Sequence, residues 1–317
     1  MKTLSIVIPV CNEQKCLVPL YERLKKVLAT LEMNYEIIFV NDGSTDSSYE
    51  AMERLRSKDS CVKTLDFSRN FGHQIALTAG MDCAVGDAVV VMDADLQHPP
   101  ELIPKLLHEW ERGNDAVYTV RRKTEGIGLL KRITSGLFYR FLSKMSETPI
   151  SPRAADFRLL DRKVVDSILR MRERARFLRG MVQWVGFRQT FVEFDASQRY
   201  GGASKYSLTR MLRFGIDGMT AFSRVPLRIA TYLGLILSLF AFIYAGYALA
   251  VKLFTSRTLP GWTSLIVTVL LLGGAQLLTV GILGEYVGRI YDETKRRPLY
   301  LIRRAQGFDR EIEPPEK

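Results

Sequence analysis

Hydrophobic and polar positions follow two regimes along this chain. Up to about residue 228, short apolar runs alternate with segments whose apolar residues recur at helical spacing; beyond it, long uninterrupted apolar stretches take over. Residues 5–10 form a largely β-branched run, residues 11–15 are polar, and residues 17–31 carry apolar side chains at helical period, which predicts strand, loop and helix. Residues 36–40 repeat the run, end in the turn-forming series Asn41, Asp42, Gly43 and Ser44, and lead into a helix through Met52 and Leu55. Residues 62–67 and 88–92 are two more such strands, with a helix-like stretch at 74–84 between them. The alternation predicts an α/β fold with a mainly parallel sheet covered by helices on both faces. Ligands bind beyond the carboxyl ends of such strands, where Asn12, Asp42 and Asp93 fall.

Residues 229–251 run without a charge, and residues 263–284 do the same. Each is close to the roughly 20 apolar residues that span a bilayer. The short connection between them contains Pro260 and Gly261, so the pair predicts a transmembrane helical hairpin with both ends on one side. Two segments before it look amphipathic. In residues 126–145, Ile127, Leu130, Ile133, Leu137, Phe138, Phe141 and Met145 recur at helical spacing; in residues 207–228, Leu208, Met211, Leu212, Met219 and Phe222 face away from Arg210, Arg213 and Asp217. Either helix lies in the membrane interface or packs on a core as an ordinary amphipathic helix. The expected organisation is an α/β domain over 1–206, a juxtamembrane helix over 207–228, two spans over 229–288 and a tail over 289–317.

Charge refines this picture. Lys and Arg number 45 against 34 Asp and Glu, a formal net charge of +11, which suits nucleic acid or an anionic membrane surface. Its placement decides. Arg210, Arg213, Arg224 and Arg228 precede the apolar region, and Arg289, Lys295, Arg296, Arg297, Arg303 and Arg304 follow it, against Lys252 and Arg257 in the connection. This pattern predicts a multi-pass protein of the cell inner (plasma) membrane with the N-terminal α/β domain and both termini cytoplasmic, and no nucleic-acid partner. The first residues lack the apolar core and cleavage site of a signal peptide and read as a cytosolic strand. Cys11, Cys16, Cys61 and Cys83 form neither a CxxC pair nor a zinc-spaced set and read as reduced core residues.

The sharpest chemical signal is Asp93-Ala94-Asp95, directly after an apolar strand and followed by Leu96, Gln97, His98, Pro99 and Pro100. Both carboxylates sit near one sheet edge, where a divalent cation bridging a diphosphate needs hard oxygen ligands, so Mg²⁺ or Mn²⁺ is expected rather than zinc. Asp42, at the end of the second strand, can accept from the imide of uracil or the hydroxyls of ribose; the plainer reading is an Asn/Asp/Gly turn in which Ser44 or Asp46 caps a helix. For Asp46, capping alone is expected.

Ile8-Pro9-Val10-Cys11-Asn12-Glu13, Val40-Asn41-Asp42-Gly43-Ser44-Thr45-Asp46, Asp93-Ala94-Asp95-Leu96-Gln97, Asp156-Phe157-Arg158 and Gly202-Ala203-Ser204-Lys205-Tyr206 occur in this order. Together they resemble glycosyltransferase family 2. Followed by two spans, the set is similar to polyisoprenyl-phosphate glycosyltransferases of the bactoprenol glucosyltransferase type, relatives of dolichol-phosphate mannose synthase, over nearly the whole chain to about Phe308. The resemblance implies a GT-A, Rossmann-like domain, a nucleotide-sugar donor, a polyprenyl phosphate acceptor, a divalent cation and inversion at the anomeric carbon. By motif, Pro9, Val10, Glu13 and Asp42 would contact the nucleoside, with Asp93, Ala94 and Asp95 along the donor. Asp93, Asp95 and Gln97 would hold metal and diphosphate, and Arg199 and Lys205 would close over the phosphates. Ala196 stands where many members carry a further arginine. Asp156 falls near the reacting centre; because a phosphate monoester with a second pKa of about 6 is already nucleophilic, it is expected to position rather than to take a proton. Arg121 and Arg132 are candidates for the acceptor phosphate, or else solvated and headgroup-facing arginines.

UDP-glucose is the expected donor, with GDP-mannose or a modified UDP-sugar as alternatives. A membrane polysaccharide synthase shares the Asp42 and DxD features but normally adds a QxxRW motif, and Gln183-Trp184 has the wrong spacing. A non-catalytic lipid-binding membrane subunit would show damage to the metal motif or the basic closing loop, and neither is visibly damaged. Gly234, Gly246, Gly273, Gly274 and Ala275 predict close helix packing in a homo-oligomer, possibly a tetramer.

Overall fold

The computed structural model describes residues 1–121, 154–194, 225–254 and 261–309. The chain runs β1 (Thr3–Val10), α1 (Gln14–Leu28), β2 (Asn34–Asn41), α2 (Ser48–Lys58), β3 (Val62–Phe67), α3 (His73–Cys83) and β4 (Ala88–Val91). A 3₁₀ turn at Pro100–Leu102 enters α4 (Ile103–Glu111), and β5 (Ala116–Arg121), β6 (Ala154–Asp161), α5 (Arg162–Arg170), α6 (Leu178–Trp184) and β7 (Gln189–Phe194) follow. Two long helices, α7 (Val225–Phe254) and α8 (Trp262–Thr294), precede a last strand, β8 (Ile302–Gln306). The expected interface helix at 126–145, the segment 207–224, Arg132, Ala196, Arg199 and Lys205 lie outside the described residues.

The sheet order is β7-β5-β6-β4-β1-β2-β3-β8. Strands β1 to β4 are parallel, β6 runs antiparallel between β4 and β5, and β7 pairs parallel with β5. This is the expected Rossmann-like α/β arrangement of the GT-A type. Ile6, Val7, Ile8 and Val10 are buried without residual exposure because both faces of β1 are covered, which is why the strand reads as a continuous apolar run rather than an alternation. Leu17, Leu20 and Leu24 of α1, Met52 of α2 and Leu106 of α4 form one core with Leu4, Ile6 and Ile8. Helix α3 covers the opposite face. A Cβ on Gly80 would lie 2.2 Å from Cγ1 of Val7 and 3.2 Å from Cγ2 of Val40, so only glycine lets α3 lie this close to β1 and β2.

The amino-terminal ends of the strands carry no candidate chemistry, but a buried polar cluster closes them. Glu36 accepts from Ser5 Oγ and from the Val85 N–H (2.8 Å), and pairs with Lys63 at 2.7 Å. All four cysteines are free; Cys16 and Cys83 are buried as expected, whereas Cys61 is half-buried and Cys11 is exposed. The core reading fails for Cys11 because it is the first residue past β1, where the chain leaves the sheet at its open end.

The chain forms two units, residues 1–143, 148–211 and 297–317 in one, residues 144–147 and 212–296 in the other. In the second, α7 and α8 are long and apolar enough to cross a membrane. Their large side chains, among them Leu235, Phe240, Phe242, Leu270, Leu277 and Leu278, are exposed. An apolar surface of this extent is stable only against lipid or another apolar surface.

Candidate active site

The carboxyl ends of β1, β2 and β4 deliver the loops that carry the motifs. Asn12 takes φ +58°, a left-handed conformation that asparagine tolerates. Its Oδ1 accepts from the backbone N–H groups of Thr45 (2.8 Å) and Asp46 (3.3 Å), and its own N–H donates to Ser44 Oγ at 3.0 Å. Asp46 accepts from Ser48 N–H at 3.0 Å, which caps the start of α2, and also from Gln14 N–H at 3.3 Å. It therefore does more than cap: it ties the first turns of α1 and α2 together. The Glu13 N–H donates to Ser48 Oγ at 3.0 Å, and Pro9 and Val10 end β1 beside them.

Asp42 is buried at the end of β2. Its Oδ1 accepts from the N–H groups of Phe71 (2.7 Å) and Gly72 (3.2 Å), and its Oδ2 accepts from Gly72 at 3.0 Å. Two backbone N–H groups of the loop before α3 thus hold both oxygens of the carboxylate, the Gly72 N–H being shared between them. Gly43 follows at φ +63°, where a Cβ would lie 2.5 Å from the Asn70 nitrogen. Asp42 and residues 69–72 therefore form one packed unit.

Asp93 leaves the end of β4 next to the first residue of α3. His73 Nε2 lies 2.7 Å from Asp93 Oδ1. Gln74 fixes the tautomer: its Oε1 accepts from Leu178 N–H (3.0 Å), which turns its amide nitrogen toward His73 Nδ1 (3.3 Å) and leaves Nε2 as the donor to Asp93. Burial works against a charged ring, but the bond to Asp93 and the charges of Asp93 and Asp156 outweigh it and raise the His73 pKa. On the other side of the loop, buried His98 accepts the Asp93 N–H at its Nδ1 (3.1 Å) and stacks on Phe157 at 5.4 Å. Between them, buried Leu96 takes φ +63°, a conformation costing a non-glycine residue roughly 1–2 kcal/mol. It turns the chain so that Asp95 Oδ1 accepts the Gln97 N–H at 3.1 Å.

Because β6 runs antiparallel to β4, its first half reaches the same sheet edge. Asp156 accepts from Arg158 at 2.8 Å and from two nitrogens of Arg179, at 2.9 and 2.8 Å. Burial alone would raise its pKa, but these hydrogen bonds and the charges of Arg179, Arg158 and His73 hold it far below the carboxylate range. A carboxylate so held is a poor proton acceptor near neutral pH. Arg158 is buried almost completely, and its pKa is lowered by that burial against the pull of Asp156.

The structure thus brings Asp42, Asp93, Asp95, Gln97 and Asp156 to one edge, and Arg121 closes β5. It adds His73, Arg158 and Arg179, of which the sequence had shown only Arg158, inside a motif. Arg179 lies in a run of five arginines between 170 and 179 that gives no periodic cue, and His73 is a lone histidine at a helix start. Among the described residues, no three or more His, Cys, Asp or Glu side chains are arranged as a metal cage. Two carboxylates and an amide nevertheless fit Mg²⁺ or Mn²⁺, which retain waters and complete their shells with substrate phosphates.

Residues 5–169 match the glycosyl transferase family 2 model. The chain belongs to glycosyltransferase family 2. It is 50% identical over 305 residues to the glycosyltransferase YkcC of Bacillus subtilis (strain 168), covering 96% of this chain and 94% of that one. It is 39% identical over 302 residues to the bactoprenol glucosyl transferase of Shigella phage SfII, covering 95% and 98%. Among solved structures, glucosyl-3-phosphoglycerate synthase from Mycobacterium tuberculosis, in complex with Mn²⁺, UDP and phosphoglyceric acid, matches with TM-score 0.47 and 17% identity, over 69% of this chain and 76% of that one. As a member of this family, the protein is a glycosyltransferase.

Proposed function

We propose that this enzyme transfers a hexose, glucose from UDP-glucose, with inversion onto a polyprenyl phosphate at the cytoplasmic membrane face. The observation that carries the reading is the span of the match to the phage bactoprenol glucosyl transferase: it takes in 95% of this chain, the long apolar helices included. A transferase with a water-soluble acceptor has no need of that hairpin.

In this reading Asp93, Asp95 and Gln97 hold a divalent cation against the donor diphosphate. When bound, the cation neutralises the charge that develops on the departing nucleoside diphosphate. Pro9, Val10, Glu13 and the unit built on Asp42 line the nucleoside, Ala94 lies along the donor, and Arg199 and Lys205 close over its phosphates and exclude water. The Asp156–Arg179 pair presents fixed charge beside the sugar. Since the ionised acceptor phosphate needs no strong base, Asp156 orients rather than abstracts. Arg121 and Arg132 draw the acceptor phosphate to the site. Gly234, Gly246, Gly273 and Gly274 meet no heavy atom within 4 Å of where a Cβ would stand, which leaves them open to helices of other copies and supports a homo-oligomer, for which a tetramer is our expectation.

The test is transfer of radiolabel from UDP-glucose, GDP-mannose and UDP-N-acetylglucosamine to undecaprenyl phosphate by purified protein with Mg²⁺ or Mn²⁺. Lipid-linked label from UDP-glucose supports the reading; label from another donor alone overturns the sugar assignment. No lipid product from any donor overturns the acceptor class.

A further inference from the structure

After α8 the chain returns to the sheet. Strand β8 pairs antiparallel with β3, matching Thr64 with Gln306, Leu65 with Ala305, Asp66 with Arg304 and Phe67 with Ile302, with a bulge between Asp66 and Phe67. Just before β8, Tyr300 is buried to 2% exposure. Its ring stacks on Phe67 at 5.4 Å, and Phe67 meets Phe71 edge-on at 5.5 Å. The Tyr300 hydroxyl donates to Asp82 Oδ2 at 2.9 Å, a carboxylate that Arg172 grips through two nitrogens at 2.9 and 2.7 Å. Ser68, the first residue past β3, is held at both backbone groups: its N–H donates to the Leu301 carbonyl (3.0 Å) and its carbonyl accepts from Arg303 (2.8 Å).

These contacts converge on one place. Residues 68–72 connect β3 to α3, and Phe71 and Gly72 in that loop are the groups that hold Asp42. Asp82 lies near the far end of α3, the helix whose first residue bonds Asp93. The segment after the hairpin therefore grips the loop at its start through Ser68, reaches Phe71 by way of the Phe67 ring at the end of β3, and holds the following helix at its end through Asp82.

We propose that residues 299–306 are a positioning strap that holds the 68–72 loop and α3 in the conformation that binds the nucleoside diphosphate of the donor. This rests on the donor reading above and adds a role for the tail, which then makes the donor site incomplete without the chain that follows the second apolar helix. Without the strap the loop is in order for only part of the time, and affinity falls by the fraction of time lost. Tyr300 and Arg303 are positioning residues and touch neither donor nor acceptor.

The experiment uses the full-length protein in detergent with UDP and Mn²⁺ as the probe, and three variants: Tyr300→Leu, Tyr300→Phe and Arg303→Ala. Tyr300→Leu should weaken UDP binding by calorimetry about tenfold, corresponding to a loop in order about a tenth of the time. It should raise the donor KM in parallel and leave the acceptor KM unchanged. Tyr300→Phe, which keeps the stack on Phe67, should restore most of the affinity. Arg303 is more than half exposed, so Arg303→Ala keeps the fold if Tyr300→Leu does not, and should weaken UDP about threefold, a smaller share of the same population shift. Hydrogen exchange at the Phe71 and Gly72 amides, which needs no ligand, should quicken in Arg303→Ala and in folded Tyr300→Leu. Unchanged exchange at those amides in Arg303→Ala overturns the strap, as do equal rises in donor and acceptor KM. If wild-type protein fails to bind UDP, the donor reading falls, and the exchange measurement still decides whether the strap holds the loop.

Discussion

His73 Nε2 donates to Asp93 Oδ1 at 2.7 Å, joining the first residue of α3 to the first carboxylate of the DxD motif. The bond fixes the direction of a carboxylate that would otherwise turn about its own side-chain torsions. Residues that orient a metal-binding carboxylate are commonly worth 10- to 100-fold in metal affinity. His73→Ala should therefore raise the Mn²⁺ concentration for half-maximal activity about tenfold, with recovery of the maximal rate at high Mn²⁺. His73→Gln, which can still donate, should recover part of the loss. A metal titration indistinguishable from wild type in His73→Ala would show that Asp93 needs no such support.

Asp95 is the second carboxylate of the motif, and Leu96 carries backbone strain to present it. In the proposed reading, Asp95→Ala removes a hard oxygen ligand, while the buried side chains Met92, Ala94 and Leu96 stay in place. The variant should stay folded by circular dichroism, lose transfer by at least about 100-fold, and lose the Mn²⁺ dependence of UDP binding. Near-normal turnover would move the metal away from this loop.

Asp156 is half-buried against buried Arg158 and braced by Arg179, and removing its carboxylate leaves the Arg158 charge in the interior. Such losses cost about 3–5 kcal/mol when nothing replaces the partner. Asp156→Asn keeps an acceptor oxygen, so the lower end, about 3 kcal/mol, is expected. The pH dependence follows from the direction of the shift: a folded-state pKa below the unfolded one contributes stability above the unfolded value, about 3.9, that is lost as pH falls through the folded value. The stability difference between wild type and Asp156→Asn should thus be flat from pH 5 to 8 and narrow only in stronger acid. A difference that instead fades between pH 6 and 8 would mean that Asp156 titrates near neutrality and is available as a base.

The first four strands and three helices were legible because each is a local pattern: β1 and β4 are largely apolar runs bounded by polar turns, and α1 buries Leu17, Leu20 and Leu24 at helical spacing. The DxD loop was legible because strand, acid pair and Pro-Pro start lie side by side in sequence. What the sequence concealed is long-range. Arg179 meets Asp156 across 23 residues, and Tyr300 meets Asp82 across 218. Residues 302–306, Ile-Arg-Arg-Ala-Gln, read as part of a basic tail, because an edge strand with an exposed, charged face lacks the apolar alternation that marks a half-buried one. Asp42 reads from the sequence as a nucleoside contact or as part of an Asn/Asp/Gly turn; that the Phe71 and Gly72 N–H groups come to it from about 30 residues away belongs to neither local pattern.

The strand pairing of β8 with β3 also bears on membrane topology. Strands β1 to β4, which precede α7, and β8, which follows α8, belong to one unit, since residues 1–143 and 297–317 lie in it together. If each of the two apolar helices crosses the bilayer once, two crossings return the chain to the side it left, and β8 can pair only if that side is the one holding β3. By the positive-inside rule, the cation-rich outer flanks predict that this side is the cytoplasm. In intact cells a membrane-impermeant maleimide should label Ser256→Cys, in the connection between the helices, and should not label Ser57→Cys on α2. Exposed Cys11 serves as a native control, since its thiol should react only after the membrane is opened. Labelling of Ser57→Cys but not Ser256→Cys in sealed cells would invert the orientation. Labelling of neither before lysis and both after it would mean that the hairpin does not cross at all.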